Sequence, residues 1–342
     1  MYNCLHCRDL KNKIIYTKCS MSKRIDYIDL IKGLTIWVVV WYHTAHPSWL
    51  TATLVNSVFF FLSGYFFRRK PIISFLNEKV KTILIPFVFF YLISYPYRIF
   101  EYFWDNRTLS GFNWTYLFDV FNFQPQTDYL FVNVPLWFLL CLFFVQILYY
   151  FVSYLDKRII FVISLLCLGL KEVFMSIPSF FMINAAFYSL GFFALGNLFG
   201  KPWIEKLKDV RFRKVSLIIS LLLFAMLFIP INSLTGWWYE TAYHIKLFMV
   251  FFILMSVASW FNEKRYLSLL RFYGKNSLVV LGLHIIPLTV LIRTTNAVFG
   301  SCTPFLGFIQ ATIVMAIMCV VILFCNRYIP FLVGKKQIKS TA

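Results

Sequence analysis

Arg24-Ile-Asp-Tyr-Ile-Asp-Leu-Ile-Lys-Gly-Leu-Thr-Ile-Trp-Val-Val-Val-Trp-Tyr-His43 reads as a membrane span, yet it keeps Asp29, Lys32 and His43. On a helix turning about 100° per residue, Lys32 and His43 lie about 20° apart in azimuth and about 16 Å apart along the axis. Asp29 falls about 40° to the other side of His43, so the three ionisable groups share one stripe. Such groups are costly at membrane depth and mark functional paths. This helix is therefore where chemistry is expected.

The rest of the chain fits a membrane setting. Of 342 residues 60% are hydrophobic and only 14% charged, against about 25% charged in a soluble domain. The apolar residues come in long runs separated by short basic segments, as in a polytopic membrane protein. The net charge of +19 does not point to nucleic acid, because the Lys and Arg sit almost wholly between spans, where cytoplasmic loops gather them.

Ten candidate spans lie near residues 28–46, 51–67, 83–103, 134–154, 159–174, 180–199, 215–231, 246–261, 278–292 and 305–329. Loop charge supports the count. Segment 68–82 carries Arg68, Arg69, Lys70, Lys79 and Lys81 against Glu78, and segment 201–214 carries six basic and two acidic residues. Segment 262–277 has Lys264, Arg265, Arg271 and Lys275 against Glu263, and the C-terminal tail has Lys335, Lys336 and Lys339. The alternate loops are poor in cations: 44–52 has no Lys or Arg, 104–133 sets Asp105, Asp119 and Asp128 against Arg107, and 232–245 holds Glu240 and His244. The alternation predicts an all-α, polytopic integral membrane protein with about ten transmembrane helices and both termini in the cytoplasm.

The expected organisation is a cytoplasmic tail at 1–22, one membrane domain at 23–333 and a short cytoplasmic tail at 334–342. Met21-Ser-Lys-Arg looks like an alternative start, and residues 1–20 lack the apolar core of a cleavable signal peptide. Cys4-Leu-His-Cys7 has metal-ligand spacing but no second pair, so no metal is expected. The other cysteines are Cys19 in the tail, Cys302 in a loop, and Cys141, Cys167, Cys319 and Cys325 inside apolar runs, which is no disulfide framework. Pro86 and Pro287 fall within spans, where neighbouring helices can satisfy freed carbonyls. Phosphate-loop, dinucleotide and zinc-protease motifs are absent.

Two readings of the first span stay open from the residues alone. A neutral His43 imidazole can take a proton from a hydroxyl, return it to a leaving group, or be acylated, and a Lys32 ammonium at the inner rim suits phosphates or a carboxylate. Alternatively Lys32 snorkels to the interface and His43 hydrogen-bonds across helices. Span two ends in Ser63-Gly64-Tyr-Phe-Phe-Arg68-Arg69. The Gly allows close helix approach; the arginines serve as a positive-inside anchor or, with Lys79 and Lys81, would form a cationic rim beside Lys32 that could hold a phosphorylated donor.

Lys32-x10-His43, Phe-Phe-Phe-Leu-Ser63-Gly64-Tyr, the basic run ending Ile85-Pro86, Pro135-Leu-Trp137-Phe-Leu, and Tyr273-Gly-Lys-Asn-Ser277 running into Leu283-His284 occur in this order. The ordered set resembles the membrane-bound acyltransferase 3 family from residue 24 to about 290, in the form of stand-alone O-acetyltransferases that decorate polysaccharides and lipid-linked glycans. The resemblance implies transfer of an acetyl or other short acyl group from acyl-CoA to a carbohydrate hydroxyl. It carries the family's Arg/Lys-x10-His motif onto Lys32 and His43, with Lys in place of the commoner Arg, which loses the bidentate fork.

On that resemblance, acetyl-CoA is the donor, held in the cytoplasm near Lys32, Arg68, Arg69 and Lys81, with Ser63 and Gly64 beside it. The thioester would reach His43 from inside and the sugar from outside. His43 is the general base or a transient acyl acceptor; direct general-base attack is favoured because nothing requires a covalent step. Trp137, His284 and Asp29 are candidates for substrate contact, with Trp137 equally able to pack as an interfacial belt residue and His284 to satisfy a polar neighbour. Asn276 and Ser277 are expected to cap span nine, and Trp237-Trp238-Tyr239-Glu240 offers an outer sugar platform or an interfacial anchor. His244 adds a weak hint of a metal site. The expected setting is the cytoplasmic (inner) membrane, with the bilayer, acyl-CoA and a carbohydrate as partners. The alternative is an exporter of a polysaccharide or its intermediate, which needs a wide polar path that the later spans do not supply.

Overall fold

The computed structural model describes residues 26–45, 52–121, 132–177, 181–227, 229, 234, 236–261, 267–300 and 303–335. The expectations for Cys4, Cys7, Cys19, Met21, Asp128, Glu263, Lys264, Arg265, Cys302, Lys336 and Lys339 lie outside these residues. Among the described residues every regular element is helical.

The chain begins with α1 (Asp26–Ala45) and α2 (Ala52–Tyr65). Then α3 (Ile72–Lys79) runs through a π turn at Val80–Leu84 into α4 (Ile85–Asn106). Pro86 explains the wide turn, since proline lacks an N–H and its ring displaces the carbonyl one turn back. Short 3₁₀ turns at Trp114–Phe121 and Val134–Leu136 lead into α5 (Trp137–Val152), α6 (Lys157–Gly169) and α7 (Lys171–Ser176). There follow α8 (Ile183–Lys206), α9 (Val210–Leu227), α10 (Gly236–Trp260), α11 (Ser268–Lys275), α12 (Ser277–Leu283), α13 (Ile285–Phe299) and α14 (Pro304–Tyr328). Capping is local: the Asp156 carboxylate accepts from Arg158 N at 2.8 Å, Asp209 from Arg211 N at 2.7 Å and Thr303 Oγ1 from Leu306 N at 3.2 Å.

Eight of the ten expected spans each fall mainly on one helix as far as the described residues go, while 159–174 runs across α6 and α7 and 278–292 across α12 and α13. Among the described residues five helices are long and apolar enough to cross a bilayer, at Ile72–Asn106, Val134–Val152, Ile183–Lys206, Trp238–Trp260 and Pro304–Tyr328. The pair α12 and α13, bent by 51°, makes a sixth if it is one span. The remaining four are shorter or more charged: α2 and α6 have 14 and 13 residues, α1 holds Asp26, Asp29 and Lys32, and α9 holds Arg211, Arg213 and Lys214. Large apolar side chains on outer faces, such as Val320 on α14 and Leu221 and Leu222 on α9, stand exposed. That is the pattern of a polytopic protein whose solvent is lipid.

Two glycine contacts set the core. A Cβ built on Gly33 would overlap the Leu270 carbonyl and one on Gly274 the Asp29 carbonyl, so α1 and α11 meet backbone to backbone. Gly64 against the Phe193 carbonyl and Gly196 against the Phe61 carbonyl do the same for α2 and α8. This is the close approach expected of Ser63-Gly64, and small residues are what make it feasible between membrane helices. Polar side chains fasten the same contacts: Asn197 Nδ2 donates to Gly64 O at 3.0 Å, and Tyr149 OH to Asn197 Oδ1 at 2.8 Å. Thr44 Oγ1 donates to Gly307 O at 3.0 Å, joining α1 to α14. The stripe-bearing helix α1 is thus held centrally, between α2, α11 and α14.

The α12–α13 break falls at His284. Pro287 accounts for it, because Leu283 O loses its donor and meets the proline ring. Asn276 does not cap α12 with its side chain. Its Nδ2 donates to Phe272 O at 2.7 Å, while its Oδ1 accepts from Asn326 Nδ2 at 3.0 Å and from the Lys335 ammonium, tying α11 to α14 and the following turn.

Candidate active site

His43, in the last turn of α1, lines a cavity of about 570 Å³. The walls come from seven other parts of the chain. Asn56, Ser57 and Phe60 project from α2, Tyr97 and Arg98 from α4, and Trp137 from the start of α5. Lys171 begins α7, Tyr188 and Ser189 lie on α8, and Thr289 lies on α13. Asn133, in the segment before α5, completes the wall. Trp137 and His43, singled out from the sequence, share this cavity.

The cavity is lined by polar atoms that the fold holds in place but leaves incompletely bonded. Asn133 is 2% exposed; its Nδ2 donates to Ser94 Oγ at 2.8 Å and to Gly282 O at 2.9 Å, while its buried Oδ1 has no partner among the described residues. The buried Tyr188 hydroxyl likewise has none. Unsatisfied buried polar atoms cost about 1–3 kcal/mol each, so their presence in a cavity wall marks positions that a ligand's hydroxyl groups could satisfy.

An ion cluster lies beside the cavity, joined to it through Arg98. Glu101 accepts from Arg98 on its own helix and from Arg293 of α13 at 2.7 Å, and Arg293 also reaches Asp105 at 2.6 Å. Tyr97 OH donates to Thr289 Oγ1 at 2.7 Å beside it. These bonds clamp α4 to α13 next to the cavity. Sequence reasoning missed this cluster; an arginine, Arg293, directly after a predicted span was the available signal.

His284 sits behind His43. It is fully buried, its ring centroid is 5.4 Å from that of His43, and its Nδ1 is 2.8 Å from Val280 O and 3.1 Å from Leu281 O.

Lys32 opens on a different space. It lines a smaller cavity of about 160 Å³ with Ser63, Phe59, Phe138 and Ser277. Its ammonium lies 4.8 Å from the Phe66 ring centroid, at the level where α2 ends. Aromatic rings stand between the two cavities: Phe138 lines the smaller one and packs 4.8 Å, centroid to centroid, from Phe60 of the larger. Lys32 and His43 therefore share a helix face without sharing a cavity.

The other expected residues disperse. Arg68 is exposed and its Nη1 donates to Phe67 O at 2.8 Å and Tyr65 O at 3.1 Å, closing the end of α2. Arg69 is exposed, over the Tyr154 ring at 5.1 Å, and Lys81 is exposed on the π turn. Gly64 packs against the Phe193 carbonyl and lines neither cavity. Asp29 is buried with its carbonyl against Gly274 and lines neither cavity.

Tyr239, Glu240 and His244 line a separate groove of about 1080 Å³, which meets the His43 cavity at Lys171. Lys171 is 3.3 Å from Glu240 and 3.1 Å from Glu172, and His244 Nδ1 is 2.7 Å from Glu240 O. No group of three His, Cys, Asp or Glu side chains among the described residues could hold a metal ion.

A family model described as an acyltransferase domain, that of acyltransferase 3, matches residues 25–325. No curated protein and no solved structure matches the chain.

Proposed function

Since the chain belongs to the acyltransferase 3 family, we propose that this membrane acyltransferase moves an acetyl group from cytoplasmic acetyl-CoA to a hydroxyl of a cell-surface or lipid-linked carbohydrate. The observation that carries this reading is the pairing of two cavities on one helix. Lys32 lines one, beside the basic end of α2, and His43 lines the other, among unsatisfied polar atoms. The first suits the charged donor and the second a polyhydroxylated acceptor.

In this reading the donor's phosphates stay at the cytoplasmic rim, near Lys32, Arg68, Arg69 and Lys81. The thioester end passes Ser63 and the Phe59–Phe138 contact to reach His43. His43 takes the proton of the acceptor hydroxyl as its oxygen bonds to the acyl carbon, and the C–S bond breaks. The proton then passes to the leaving thiolate. Trp137 offers an aromatic face to the sugar. Loop charge supports a topology of ten spans in the cytoplasmic membrane with both termini inside. An exporter would need a wide, continuously polar path, whereas the side chains between these two cavities are phenylalanines, which suit a thin acyl-bearing arm better than a glycan.

The test is mass spectrometry of surface glycans from cells carrying wild type, His43→Ala, Lys32→Ala or empty vector, at matched protein level. Ester adducts are expected to vanish in His43→Ala as in the vector. In membranes, Lys32→Ala is expected to raise KM for acetyl-CoA about tenfold, the effect of losing about 1.4 kcal/mol, and Lys32→Arg to restore it. Unchanged acylation per sugar, with less glycan exported, would replace this function with export.

A further inference from the structure

Among the described residues His284 forms hydrogen bonds through one of its nitrogens, Nδ1. Its Nδ1 lies within bonding distance of two backbone carbonyls, Val280 O and Leu281 O. Carbonyls only accept, so Nδ1 carries a proton. The ring is fully buried, and a second proton would make it an unpaired buried cation, which is strongly disfavoured. The neutral tautomer with a lone pair on Nε2 is thereby fixed. That Nε2 is buried without a partner among the described residues.

The ring next to it is His43, with centroids 5.4 Å apart and planes tilted by 41°. Two imidazoles joined edge to edge by an N–H···N bond of about 3 Å have their centroids about 5.3 Å apart. The observed spacing matches such a bond, although none is formed in the structure: His284 Nε2 has no partner among the described residues, so His43 must turn to close it. Catalytic hydrogen bonds commonly tighten only when substrate is bound.

Resting on the acyltransferase reading above, we infer that His284 is a positioning residue that accepts the N–H of His43 at its Nε2 and so fixes which His43 nitrogen faces the cavity. A neutral imidazole has one N–H and one lone pair. Directing the N–H to His284 leaves the lone pair for the acceptor hydroxyl. When the hydroxyl proton moves to that nitrogen, the imidazolium keeps its N–H···N bond to His284, now charge-assisted. The proton returns to the sulfur as the thiolate leaves, and His43 is again neutral in the same tautomer. A neutral histidine here fills the orienting role that a carboxylate would otherwise fill, without placing another charge in the bundle.

The fold gives His284 the rigidity this needs. Pro287 breaks the helix at this residue, and the Gly282 carbonyl in the same turn accepts from Asn133 of the cavity wall at 2.9 Å. The same polar side chain therefore anchors the turn that carries His284 and lines the space where the acceptor would sit.

The experiment uses full-length protein, labelled with ¹⁵N-histidine, in lipid nanodiscs, with the His43 signals assigned by their loss in His43→Gln. In wild type, His43 is expected in a single neutral tautomer with a downfield, hydrogen-bonded N–H. In His284→Phe its signals are expected to divide between two tautomers, and glycan esters to fall at least tenfold at matched protein level. His284→Gln offers an amide oxygen as acceptor and is expected to retain the single tautomer and activity within about threefold of wild type. The proposal is overturned if His43 keeps one tautomer in His284→Phe, or if folded His284→Gln loses as much activity as His284→Phe. Should His43→Ala leave acylation intact, the acyltransferase role of His43 fails, while the tautomer measurement still decides the pairing.

Discussion

Gly64→Ala should damage both stability and catalysis, because the added methyl has nowhere to go. Its Cβ would overlap the backbone carbonyl of Phe193 and press on Asn197 N. Backbone of a packed helix cannot swing aside as a side chain can, so α2 and α8 must separate by more than about 1 Å to restore van der Waals contact. Overpacking of this kind costs about 1–3 kcal/mol. The Asn197 Nδ2 bond to Gly64 O at 3.0 Å would stretch at the same time, adding to the loss. Because α2 also carries Asn56, Ser57 and Phe60 into the His43 cavity, the displacement reaches the site, where a shift of about 1 Å can lower the rate about 100-fold. Gly169 is the control: it lies in the last turn of α6 and a Cβ there meets nothing. Gly169→Ala should be neutral or stabilise by up to about 1 kcal/mol. The assay is thermal unfolding of purified protein in one detergent, followed by a buried-thiol probe that can report Cys141 and Cys167, alongside glycan ester content in cells. A Gly64→Ala protein with wild-type melting and wild-type ester levels would refute the close-packing argument, as would greater damage from Gly169→Ala.

Tyr188→Phe removes a buried hydroxyl that has no partner among the described residues, so the melting temperature should hold or rise, while ester content falls several-fold if the hydroxyl contacts the acceptor. A lower melting temperature would show that the hydroxyl is satisfied in the folded protein. Glu101→Gln takes one charge from a carboxylate shared by Arg98 and Arg293. Leaving two partly buried guanidinium groups undercompensated should cost about 3 kcal/mol, read as a clear drop in melting temperature. Asp105→Asn, whose carboxylate is half exposed, should cost less than about 1 kcal/mol. Equal effects of the two would contradict the burial argument.

The candidate site was partly legible. Lys32 and His43 could be read because one helix fixes their relation, and Trp137 because an aromatic opens a span on the side where the loops are poor in cations. Asp29 shares the stripe but ends at the α1–α11 contact, since Gly33 and Gly274 bring the two backbones together there. The cationic rim was read by charge alone; the structure engages Arg68 with the carbonyls that end α2 and places Arg69 on Tyr154. Asn133 and Tyr188 gave no signal, because an isolated Asn or Tyr near a span boundary is common.

What the sequence by itself determined is local. Apolar runs of helical length made every regular element among the described residues a helix, Gly64 allowed a close neighbour, Pro86 and Pro287 interrupted their helices, and helical rise set the spacing of Lys32 from His43. Only the tertiary structure decided that these two residues face separate cavities, because the rings between them come from α2 and α5. It alone brought His284 to His43 across 241 positions, and Asn133 to Gly282 across 149. Contacts at such separations are set by which helix faces pack together, and the periodicity within one helix carries no information about its partner.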